Sequence, residues 1–195
     1  MERLTEPAGG GTGVRAEAGM RADAGGRTET AVRTAAPVGP AAFREVLGAF
    51  ASGITVVAAL ADDGRPAGLA CQSFASLSLD PPLVLLCVGK GSSSWPKVRA
   101  AGRFGVSILA EEQRTVCEAL GRRGEDKFAG IDWELSAHGA VRVTGALATV
   151  DCALEEVHEA GDHYLVTARV LELAARDGGS PLLYYRSDYA TGAFG

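Results

Sequence analysis

Chemistry could reside first at Gly161-Asp162-His163, where an imidazole stands beside a carboxylate at a turn. Histidine is the side chain that titrates near neutral pH, so the pair can act on a ligand, and it can equally be a solvated loop. His158 and His163 are five residues apart with Glu159 between them, which is not the i, i+4 pairing of a zinc hydrolase. The sequence has no GxSxG elbow for a serine nucleophile.

Two further stretches have the composition of a ligand site. In residues 68–83, Ala70, Ser73, Ala75, Ser76 and Ser78 interrupt an otherwise apolar run. Small and hydroxylated side chains let a flat ligand approach the backbone closely, and an edge strand with a polar face shows the same pattern. In residues 89–98, three serines (Ser92, Ser93 and Ser94) follow an apolar strand, with Lys90 and Lys97 on either side and Pro96 behind. Backbone N–H groups, hydroxyls and amines there could hold a phosphate; Ser93 or Ser94 capping a helix accounts for the same residues. Ser94 stands where a dinucleotide fingerprint needs its third glycine.

These segments need elements to position them. Phe43, Val46, Leu47 and Phe50 recur at i, i+3, i+4 and i+7, the stripe of a short amphipathic helix that Gly53 ends. Short β runs follow at residues 54–60, 68–79, 83–88 and 104–109, with a turn at Asp62-Asp63-Gly64. Helices are predicted at 95–101 and 111–120, long antiparallel strands at 140–158 and 164–173, and a last strand at 182–185. Many strands with few helices and no βαβ alternation predict a mainly β fold, a closed or Greek-key barrel with a few flanking helices.

The chain has 195 residues, 47% of them hydrophobic and 22% charged, enough for one buried domain. Residues 1–40 contain no aromatic residue and no apolar period, and read as a disordered Gly/Ala/Arg-rich tail. The glycines at 9–13 have neither a preceding strand nor a following GK[ST], so they are not a phosphate loop. A net charge of -5 with scattered Lys and Arg gives no footprint for nucleic acid. The apolar runs are far shorter than the roughly 20 residues that cross a bilayer, and no leader pattern is present, so no membrane partner and a cytoplasmic location are expected. Four separated cysteines (Cys71, Cys87, Cys117 and Cys152) lack metal-ligand spacing, so no metal is expected.

Taken in order, residues 43–57, 68–84, 94–109, 126–133, 161–163 and 183–189 resemble the flavin reductase family with a split-barrel fold, over residues 41–191. The chain is similar to reductase subunits that serve flavin-dependent aromatic hydroxylases, including one acting on a phenolic secosteroid. The resemblance implies an FMN-binding type split β-barrel, a homodimer, and an enzyme that uses NADH, or NADPH, to reduce FMN or FAD for a separate flavin-dependent oxygenase. It implies that Ala70, Cys71, Gln72, Ser73 and Phe74 line the flavin with Ser76 and Leu77 beside them. Ser92, Ser93 and Lys97 would approach the phosphate. Gly161, Asp162 and His163 would position the nicotinamide, with His163 as the catalytic residue, and Arg186 and Tyr189 would hold the dinucleotide. Gln72 stands where many members carry Asn. A flavin- or haem-binding split barrel without turnover is the alternative, and the GDH turn speaks against it. An amine-oxidising relative would need a basic phosphate pocket that the sequence does not display.

Overall fold

A computed structural model of the chain describes residues 37–124 and 126–191; the tail expected at 1–40 lies almost wholly outside them. In chain order the elements are α1 (Pro40–Leu47), β1 (Ser52–Gly53), β2 (Thr55–Leu60), β3 (Pro66–Cys71), β4 (Phe74–Leu79), β5 (Pro82–Gly89) and α2 (Trp95–Ala101). Next come β6 (Arg103–Ile108), a short 3-10 turn (Glu111–Gln113), α3 (Arg114–Gly121), β7 (Trp133–Leu135), β8 (Val141–Val143), β9 (Ala148–Ala160), β10 (His163–Ala175), β11 (Leu182–Tyr185) and β12 (Asp188–Thr191).

Seven strands form one antiparallel sheet in the order β3-β2-β6-β9-β10-β5-β4. Its two edge strands, β3 and β4, are joined only by Gln72 and Ser73, so the sheet must curl until its ends meet. The seam is held by the Cys87 N–H donating to the Ser73 carbonyl (3.1 Å) and the Cys71 thiol donating to the Cys87 carbonyl (3.7 Å). The result is the expected mainly β split barrel. The single run read at 68–79 is therefore two strands, because the chain turns between sheet ends at Gln72-Ser73.

Val57, Leu86, Phe104, Val106 and Val166 fill the barrel, and Trp95 and Val98 of α2 pack into the same core. A second core lies outside β2, where Val56 and Ala58 meet Leu120 of α3, Phe128 and Val141. Residues 55–59 are consequently buried on both faces, which is why this strand shows no apolar–polar alternation.

The β7–β8 hairpin crosses the outside of β6. Gly105 permits the approach, since a Cβ there would sit on the Val141 carbonyl, and Ser107 Oγ accepts from the Val143 N–H at 2.9 Å. Arg142 of β8 then donates from Nε and Nη2 to both carboxylate oxygens of Asp151, each at 2.8 Å, and lies 3.2 Å from Glu172. His138 Nε2 stands 3.4 Å from the same Glu172 carboxylate. His138, Asp151 and Glu172 are grouped closely enough to suggest a metal, but the Arg142 fork already occupies the Asp151 carboxylate.

Helix α1 ends at Leu47 with Gly48 as its cap, short of the Gly53 stop expected from the sequence, so Phe50 lies beyond it; Phe43, Val46, Leu47 and Phe50 are 56–81% exposed among the described residues. No helix among the described residues is long and apolar enough to cross a membrane.

Burial pushes the thiol of Cys71 from 9.0 up to about 11 and that of Cys152 up to about 12. Between these values the unfolded chain has lost protons that the folded chain keeps, so stability must fall as pH rises. Denaturation midpoints should be lost progressively from pH 9 upward, with a shallower slope in Cys152→Ala. An alkaline slope identical in the two proteins would remove the buried thiols as its source.

Candidate active site

A cleft of about 260 Å³ opens at the seam, lined by Ala70, Cys71, Gln72 and Ser73 from the end of β3 and by Cys87 and Gly89 from β5, with His163 above. The pairing of β10 with β5 brings His163 here, opposite Gly89. A Cβ on Gly89 would touch His163 Nε2 at 3.6 Å, so the imidazole lies directly over a residue with no side chain. Four of the residues expected at the flavin and one of the three expected at the nicotinamide, His163, thus share one cavity.

The histidine is oriented from behind. Its Nδ1 lies 2.8 Å from Asp162 Oδ1, and a carboxylate can only accept, so Nδ1 carries the proton and Nε2 is left to the cleft. The hydrogen bond from His163, and then its charge, hold the Asp162 carboxyl below its ordinary range. The turn is tied down by Lys90, whose N–H donates to the Asp162 carbonyl at 2.9 Å and whose Nζ pairs with Glu159 at 2.9 Å. Lys90 therefore braces the hairpin, and the phosphate role open to it in the sequence passes to other cations.

Leu69, Ala70 and Gly89 also line a second, wider recess of about 690 Å³, where Ser92 and Ser93 face Arg122, Arg123 and Lys127. Ser92 does the capping expected of Ser93 or Ser94: its Oγ accepts from the Trp95 N–H at 3.2 Å, while Ser94 makes no side-chain cap. Lys97 lines the adjoining outer recess with Ser93. The basic surface that looked scattered in the sequence is gathered here by the fold. Arg122, Arg123 and Lys127 were missed as site residues; the only sequence signal was their position in a Gly-flanked loop just before and within the 126–133 motif.

The other expected positions lie elsewhere in the chain. Phe74 packs against the barrel core, whereas Ser76 and Leu77 are exposed on edge strand β4 and do not line the cleft. Arg186 sits at the β11–β12 turn, its N–H donating to the Gly48 carbonyl beside α1 at 2.9 Å. Arg186 and Ser187 both have positive φ (49° and 66°), a turn that non-glycine residues adopt at a cost. The Tyr189 hydroxyl lies 3.4 Å from Sγ of Cys117, which itself lines the cleft, so the tyrosine stands behind the wall.

Small residues under a flat cleft, an oriented imidazole at its mouth and clustered cations beyond it fit a flavin with its phosphate. Split barrel and cleft together define a protein of the flavin-binding split-barrel class.

Comparison with known proteins agrees. The family described as "Flavin reductase like domain" matches residues 47–193, and the chain belongs to it. It is 50% identical over 152 residues to the "Flavin-dependent monooxygenase, reductase subunit HsaB" of Rhodococcus jostii, covering 78% of this chain and 77% of the relative. It is similar in structure to a nitrilotriacetate monooxygenase component B homologue from Mycobacterium thermoresistibile (TM-score 0.74, 48% identity, 76% and 84% of the two chains). It is also similar to the NADH:FAD oxidoreductase SgcE6 of Streptomyces globisporus C-1027 in complex with NAD and FAD fragments (TM-score 0.75, 32% identity, 82% and 98%).

Proposed function

We propose that this chain is an NADH-dependent flavin reductase that reduces FMN or FAD for a separate oxygenase, with the flavin ring on Ala70–Ser73 and the nicotinamide under His163. The observation that carries the reading is the single cavity shared by the end of β3 and the oriented His163. Bound nicotinamide would supply the hydride and bound flavin would accept it, and the protein's part would be to hold the two rings within reach of each other. Ala70 and Gly89 leave room for the stack, His163 Nε2 fixes the nicotinamide side, and Ser92, Ser93, Lys97 and Lys127 meet phosphate.

A second copy of the chain would cover the apolar residues Phe43, Val46, Leu47 and Phe50, which lie exposed side by side among the described residues. Arg186, at that face, would then serve a dinucleotide only across the subunit boundary, and Ser76 and Leu77 would likewise approach flavin from outside the cleft of their own chain.

The test is oxidation of NADH and of NADPH by purified protein with FMN, FAD or no flavin. Turnover that requires added flavin is expected. Absence of oxidation with every pairing would overturn the reductase reading in favour of a carrier without turnover.

A further inference from the structure

The sheet has a second face behind the cleft. His163 and Tyr164 are neighbours on β10, so their side chains point to opposite sides of it. His163 overhangs Gly89 at the cleft, whereas Tyr164 packs with Val166 and Ala168 on the side of the barrel core. Tyr164 also lines a separate cavity of about 390 Å³, together with Trp95, Pro96 and Arg99 of α2 and with Lys90. Ser92 lines both this cavity and the recess that holds Arg122 and Lys127, so its loop is the partition between them.

The two sides of that partition differ in chemistry. Two cationic side chains line the cavity behind the sheet and, among the described residues, no acidic one does. The Lys90 ammonium stands 5.6 Å from the centre of the Tyr164 ring and is already paired with Glu159 at 2.9 Å. Arg99, exposed on the last turn of α2, therefore supplies the charge for an incoming anion. A guanidinium takes a carboxylate through two parallel hydrogen bonds. Trp95, Pro96 and Tyr164 make the remaining wall apolar and largely aromatic, suited to stacking a ring. Trp95 is 3% exposed and lines none of the cavities on the cleft side. Its indole N–H is a buried donor with no partner among the described residues. Such a donor is costly to leave unpaired, and an acceptor brought in beside the ring relieves it.

We propose that this cavity is a second ligand site, which takes a single-ring aromatic carboxylate with its ring against Trp95 and Tyr164 and its carboxylate on Arg99. The volume, near the lower end of the range of about 300–1,000 Å³ for ligand cavities, suits one substituted ring. The site stands whether or not the cleft on the other face holds flavin.

Calorimetric titration of the full chain with benzoate, benzamide and acetate, with and without saturating FAD or FMN, tests the proposal. Benzoate should bind with a Kd of about 1 mM or tighter, and benzamide and acetate at least about tenfold more weakly, because each lacks one half of what the wall recognises. Flavin should move benzoate affinity by less than about twofold, as for uncoupled sites. Arg99→Gln should weaken benzoate about tenfold and leave flavin affinity unchanged. In Trp133→Phe, which leaves Trp95 as the only tryptophan, indole emission measured without flavin should change along the same binding curve. Absence of benzoate binding, benzoate no tighter than benzamide, an affinity untouched by Arg99→Gln or a silent Trp95 overturns the proposal. Displacement of benzoate by flavin overturns it too, by placing the acid in the cleft on the other face.

Discussion

Asp151→Ala lowers the unfolding free energy by about 3–5 kcal/mol, as expected for breaking a buried ion pair from one side. Asp151 is fully buried on β9, and both its oxygens accept from Arg142, whose side chain is only 12% exposed. Removing the carboxylate strands a guanidinium under the β7–β8 hairpin with only the half-exposed Glu172 for a partner. The cost is that of an unpaired buried charge, so a double replacement, Asp151→Leu with Arg142→Met, should recover most of the loss. Urea denaturation of the three proteins checks both statements. A loss below about 1 kcal/mol in the single variant would place the pair among ordinary surface bridges. Flavin affinity of the folded protein should stay unchanged, since the clamp does not line the cleft.

His163→Ala reduces kcat/KM for NADH by about 10- to 100-fold while changing flavin affinity by less than about threefold. The separation follows from the position of the ring, which overhangs Gly89 at the mouth of the cleft, whereas the floor belongs to β3. Asp162→Asn should have the same sign and a smaller size, because it releases the ring's orientation without removing the ring. Steady-state kinetics at saturating flavin, paired with flavin titration, separates the two contributions. Equal losses in NADH use and flavin binding would show that His163 shapes the whole cleft and does not serve the nicotinamide.

Much of the architecture was legible in the sequence because the elements follow local rules. Helix α2 was placed at its observed bounds by Pro96 in its first turn, and the Asp62-Asp63-Gly64 turn marked the β2–β3 hairpin. What local pattern could not show was where the barrel closes. Residues 68–79 read as one strand because nothing in Gln72-Ser73 distinguishes a bend within a strand from a passage between sheet edges. Strands β1, β7 and β12 were missed because short strands carry too few residues to establish a period, and the run read at 140–158 is two strands, β8 and β9, broken at residues 144–147.

The site was legible in the same uneven way. Residues 70–73 and His163 converge as the family resemblance implied, although they come from distant parts of the chain. Arg122, Arg123 and Lys127 escaped notice because the recess they line with two serines, proposed for phosphate, draws on no basic run longer than two residues. The stripe at Phe43, Val46 and Leu47 was read correctly as one face of a helix, but the helix stops at Leu47 and leaves Phe50 beyond it. Periodicity reports that a face is apolar and leaves unsaid whether the chain itself covers it.

The strand order has a kinetic consequence. Only β2–β3, β4–β5, β7–β8, β9–β10 and β11–β12 pair with sequence neighbours, whereas β1–β11, β2–β6, β6–β9 and β10–β5 join segments far apart in the chain. Loop-closure entropy opposes each of those four pairings before contacts reward it, which slows folding of such topologies. The hairpins can form early and separately, but the cleft draws its walls from β3, β5, β10 and the loop after α3. Ligand recognition therefore arrives together with the last long-range pairing, and a newly made chain has no flavin site until its sheet has come full circle.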